Sequence, residues 1–86
     1  METILVVDDE KSVRDSIKMI LEYEKYVVAF AENGQQALQK MSGTDLVLLD
    51  VKMAGMDGIE VLQKIRERNT ELPVVMISGH GTIETA

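Results

Sequence analysis

The strongest constraint in this chain is a set of short, unbroken aliphatic runs. "TILVV" at 3–7, "YVVAFA" at 26–31, "DLVLLD" at 45–50 and "LPVVMIS" at 72–78 each carry four or more apolar residues in succession. A strand with one wet face alternates apolar and polar residues. A strand covered on both faces reads as a continuous run. Between the runs lie helical patterns. Val13, Ile17, Ile20 and Leu21 fall at i, i+4, i+7 and i+8, with Arg14, Asp15, Lys18 and Glu22 mostly off that face. "NGQQALQKM" turns Ala37, Leu38 and Met41 inward, and "GIEVLQKIRER" does the same with Ile59, Leu62 and Ile65, Val61 packing nearby. Pro73 opens the fourth run, where a missing N–H is tolerated. The last residues, "HGTIETA", read as the first turn of a further helix.

The resulting order, β-α-β-α-β-α-β, predicts a parallel sheet with helices on both faces and right-handed crossovers. At 86 residues the chain is at most one domain. Its formal charge of −6 argues against nucleic acid as a direct ligand, since phosphate backbones repel such a surface. No apolar run is long enough to span a bilayer, and "METILVVDDE" turns acidic too soon for a signal peptide, so a cytoplasmic location is expected. With no cysteine, disulfides and thiolate metal sites are excluded.

In a parallel sheet the strand C-termini share one edge, and ligands bind there. Here those ends carry Asp8, Asp9 and Glu10 after the first strand, Asp50 after the third, and Ser78 followed by Gly79, His80 and Gly81 after the fourth. Taken singly these residues are ordinary: acids before a helix suit its dipole, and Asp is a common turn residue. Together, Asp8, Asp9 and Asp50 would crowd three like charges, a cost that a divalent cation removes. Oxygen-only ligands point to a hard ion such as Mg2+, which keeps waters and leaves room for a phosphoryl group. A carboxylate beside that ion can act as a nucleophile toward phosphorus, with the Ser78 hydroxyl placed to donate to a phosphoryl oxygen.

"ILVVDDE", "LVLLDVKMAGMDGIEVL" and "PVVMISGHGT", in this order and spacing, resemble the receiver domain of two-component response regulators over nearly the whole chain. The resemblance implies a flavodoxin-like, doubly wound α/β fold with strand order 2-1-3-4, residues 1–86 forming one receiver that lacks its fifth strand and fifth helix. It implies that Asp50 accepts a phosphoryl group from the phosphohistidine of a sensor histidine kinase. Asp9 would hold Mg2+ directly, Asp8 mainly through water, and the Lys52 backbone carbonyl would complete the set. Ser78 would be the switch hydroxyl, and the side chains of Lys52 and His80 would modulate how long the phosphoryl group lasts. Such a domain modifies itself and turns over no free substrate. The ending "SGHGTIETA" is similar to receivers of sigma-54-type activators, which implies an output domain beyond Ala86.

Two departures from the family pattern stand out. Ala54 occupies a position usually held by Pro, which leaves the loop after Asp50 freer. The chain also stops before the family's strand-five Lys. That predicts a bare edge on strand four, prone to self-association, and admits an alternative in which the fragment is inert to phosphorylation. Competing readings fit less well. A flavodoxin-type cofactor site wants a hydroxyl- and Gly-rich loop where "DDEKS" stands. A phosphatase with an Asp nucleophile wants an acid where Lys52 stands. Gly79-His80-Gly81 follows the wrong strand for a dinucleotide fingerprint.

Overall fold

The computed structural model describes residues 2–51, 57–77 and 83–85, the last three by backbone alone. β1 (Thr3–Val7), α1 (Lys11–Tyr23), β2 (Val27–Ala31), α2 (Gly34–Lys40), β3 (Leu46–Asp50), α3 (Gly58–Arg68) and β4 (Val74–Ile77) follow the expected alternation. β1 pairs in parallel with β2 and β3, and β3 with β4, giving the doubly wound order 2-1-3-4.

The end of the chain departs from expectation. Ile83–Thr85 forms β5 instead of opening a helix, and lies antiparallel to β4 with Val75 opposite Thr85 and Ile77 opposite Ile83. β-branched Ile and Thr favour the extended state, and an unpaired strand edge offers hydrogen bonds that a lone helical turn cannot match. The expected bare edge of β4 is therefore covered along Val75–Ile77. This removes the premise for self-association through that edge.

Alternation along each strand sorts the aliphatics between two faces. Leu5, Val7, Ala31, Val47, Leu49, Val74 and Met76 point to the side carrying α2 and α3, where they pack with Ala37, Met41, Val61, Ile65 and Leu72 in one closed core. Ile4 and Val6 point the other way and are buried on the side of α1, while Leu46, Leu48, Val75 and Ile77 on that side are half-buried. α1 has no fully buried residue: Val13, Ile17 and Leu21 are half-buried, and Ile20 is 66% exposed. In α3 the inward face is Val61, Leu62 and Ile65, and Ile59 stands outside it.

Local chemistry fixes the helix ends. The Asn33 side chain accepts from the Gln36 N–H, and that of Asp57 from the Ile59 N–H, capping α2 and α3. α1 ends with the Lys25 N–H donating to the Glu22 carbonyl and the Tyr26 N–H to the Leu21 carbonyl, around Lys25 at φ 71°. This is the pairing of a Schellman turn with Lys where glycine is preferred.

Candidate functional site: an acidic pocket at the C-terminal edge of the sheet

The β1–β3 register ends at Val7 opposite Leu49; Asp8 is the next residue after β1, and Asp50, the last residue of β3, still pairs with Ile77 of β4, so the two carboxylates stand at adjacent strand ends. Asp9 follows in the turn to α1. One carboxylate oxygen from each of Asp8, Asp9 and Asp50 lies within 4.8 Å of the others, with Asp8 buried, Asp50 half-buried and Asp9 exposed. The sequence predicts these three at one edge, and the fold brings them into one cluster. Lys52, Ser78 and His80 lie outside the described residues, as does the Ala54 loop position.

Asp8 is held from several directions. Its N–H donates to the Ala31 carbonyl (3.1 Å), which continues the β1–β2 ladder by one residue. Its Oδ1 accepts from the Glu10 N–H (2.9 Å), which shapes the turn into α1. Burial pushes the Asp8 carboxyl above its ordinary range. The bond from Glu10 pulls the other way, and the negative charges of Asp50, Asp9 and Glu10 add to the upward push. The pocket thus stores like-charge repulsion that a cation would relieve. Its donor set is all oxygen, drawn from three carboxylates within reach of a single ion, which fits a hard divalent metal such as Mg2+.

Asp50 is anchored from behind by two features the sequence did not announce. The Val51 N–H donates to the Ile77 carbonyl (3.0 Å), and the Val51 carbonyl accepts from the Gly58 N–H (3.1 Å). Gly58, the first residue of α3, sits so close that a Cβ there would lie 2.6 Å from Val51 Cα and 2.7 Å from the Asp50 carbonyl oxygen. The glycine is required for this close approach, which seats the N-terminus of α3 against the backbone of the pocket. "DG" before an apolar helical pattern was the available signal, but it also fits an ordinary capped helix start.

Arg14, like Ile20 and Ile59, departs from what helical periodicity predicts. Expected on the wet side of α1, its side chain is only 12% exposed and forms an ion pair with Glu32 at 3.5 Å.

Residues 4–86 match the response regulator receiver domain family. The chain belongs to that family. The transcriptional regulatory protein ResD of Bacillus subtilis is 46% identical to it over 80 residues, covering 91% of this receiver and 33% of ResD. The nitrogen assimilation regulatory protein NtrX of Azorhizobium caulinodans is 42% identical over 87 residues, covering 96% of the receiver and 19% of NtrX. Among solved structures, the response regulator TrrA of Thermotoga maritima, in complex with Mg2+-BeF, matches with a TM-score of 0.88 at 39% identity. That match covers 93% of this receiver and 73% of the TrrA chain. TrrA has also been solved in complex with the histidine kinase ThkA. The receiver therefore spans only 19% to 33% of the two curated regulators. Among the described residues, no helix is long and apolar enough to cross a membrane.

Proposed function

We propose that this receiver is a phosphorylation switch in which Asp50 takes a phosphoryl group from a phosphohistidine of a sensor histidine kinase. The observation that carries the reading is the convergence of Asp8, Asp9 and Asp50 in one cluster at the strand ends. In the transfer an Asp50 carboxylate oxygen forms the new bond to phosphorus as the N–P bond breaks, and the imidazole leaves with the bonding pair. Asp8, Asp9, Asp50 and the Lys52 carbonyl would hold Mg2+. That ion, when bound, offsets negative charge on the transferring group. The buried, multiply bonded Asp8 orients the turn, and the α3 N-terminus behind Val51 keeps the Asp50 backbone from yielding.

In this reading Ser78 is the hydroxyl that meets the phosphoryl group, and Lys52 and His80 tune its lifetime. The Mg2+-BeF and kinase complexes of TrrA support, by analogy, the reading of this receiver as a Mg2+-dependent phosphorylation switch. An output domain beyond Ala86 fits relatives named as transcriptional regulators, and ZraR and NtrX among them suit the sigma-54-type likeness of the ending. The setting would be the cytoplasm, and the chemistry a single self-modification without turnover.

The test is to incubate the chain with Mg2+ and beryllofluoride, or with a small phosphodonor, and follow amide NMR signals around β1 and β3. The expected result is a spectral change and an acid-labile adduct that Asp50→Asn abolishes. An adduct retained in Asp50→Asn refutes the assignment.

A further inference from the structure

We infer that Arg14 is a positioning residue for the acidic pocket, clamping the turn that carries Asp8 and Asp9 to the end of β2. The inference rests on the reading of that pocket as a Mg2+ site. Arg14 meets the turn through its backbone, in the first ordinary bond of α1, and separately through its side chain. Its backbone N–H donates to the Glu10 carbonyl at 3.1 Å, and its guanidinium Nη1 donates to the Asp8 carbonyl through a long bond of 3.5 Å. The same Nη1 lies 3.5 Å from Glu32 Oε1, on the residue that follows β2. The guanidinium carbon stands 6.0 Å from the centroid of the Phe30 ring, and Lys18 Nζ lies 5.7 Å from the same centroid.

These contacts complete the restraint on Asp8. Its N–H goes to Ala31, its carboxylate accepts from Glu10, and its carbonyl accepts from Arg14. A planar guanidinium can address a carbonyl and a carboxylate from one fixed position, beside an aromatic ring that attracts its charge. An ammonium on a flexible stem does this less well. Groups that orient metal-binding carboxylates typically change metal affinity by about 10- to 100-fold when removed.

Electrostatics alone predicts the opposite sign. A positive charge beside the turn disfavours binding of another cation, so deleting it as a mere charge would tighten Mg2+ binding or leave it unchanged. Positioning predicts that deleting it weakens binding. The experiment is a titration of the whole chain with Mg2+ alone, followed by amide NMR signals of Asp9 and Asp50. Circular dichroism melting on each sample checks folding. Arg14→Met keeps an unbranched apolar stem without the guanidinium and should weaken Mg2+ binding about tenfold. Arg14→Lys should recover part of the loss and provides the measurement if the Met variant does not fold. Glu32→Gln, which releases the second anchor, should weaken binding less than Arg14→Met. Lys18→Met, which removes a neighbouring charge that does not touch the turn, should leave binding unchanged or slightly tighter. Equal or tighter Mg2+ binding by folded Arg14→Met, or by Arg14→Lys in its place, overturns the inference. A wild-type chain that takes up no Mg2+ overturns the reading of the pocket itself, and this inference with it.

Discussion

On one face of the sheet α2 and α3 press Leu5, Val47, Leu49 and Val74 into a core with no exposed area, while on the other α1 buries Ile4 and Val6 but leaves Leu48, Val75 and Ile77 half-covered. The same strands supply both faces, so the difference lies in the helices and not in strand composition. The closed face behaves as a packed interior, where a missing methylene leaves a cavity. The open face keeps part of its apolar area in contact with water, so less is lost there on truncation. The functional groups follow the open side: Asp8 and Asp50 continue the alternation of Val6 and Leu48, so the pocket grows from the less tightly packed layer.

The sharpest test of the contrast uses two neighbours in β3. Leu49→Ala should cost about 2–5 kcal/mol in urea unfolding, the range for a fully buried leucine. Leu48→Ala, one residue away on the open face, should cost clearly less, and equal losses would end the distinction. Next in size is Gly58→Ala, which drives a methyl into Val51 and Asp50 backbone atoms. It should cost about 1–3 kcal/mol by overpacking and should also shift the Asp50 amide resonance. A smaller effect of opposite sign is expected at the pocket. Asp8→Asn removes a carboxylate that burial and neighbouring charge already disfavour, and should raise the Tm of the metal-free chain at neutral pH. The pH dependence follows from the raised carboxyl. Between 3.8 and its higher folded value the native state holds the extra proton, so the contribution of Asp8 to stability falls as pH rises through that window. Asp8→Asn should therefore flatten that part of the stability–pH curve. The smallest change is Lys25→Gly, which relieves a non-glycine residue at positive φ and should stabilise by about 0.5–1 kcal/mol.

The strands were legible because doubly buried β-structure leaves unbroken aliphatic runs, and the three carboxylates because a parallel sheet gathers its strand ends at one edge. Residues whose role depends on which neighbour arrives from elsewhere were less visible. Ile20 has the right period for a core position, yet it faces a side of α1 that nothing among the described residues covers. Arg14 has the chemistry of a wet position, yet the end of β2 brings Glu32 and Phe30 to meet it. Gly58 carries no side chain to reveal that it abuts Val51. "IET" at 83–85 carries both helical and extended tendencies, and the open edge of β4 decided between them.

The central place of β1 has a consequence for synthesis. β1 is translated before both of its partner strands, and its pairing with β3 joins Ile4 to Leu46. At about 5–20 residues per second, that partner is made roughly 2–8 s after Ile4. Throughout that interval the β3-facing flank of this apolar segment is unpaired, and until Val27–Ala31 is made the β2-facing flank is unpaired as well. A run that is buried in the finished sheet is therefore exposed to aggregation for seconds in the growing polypeptide, until its second partner is made.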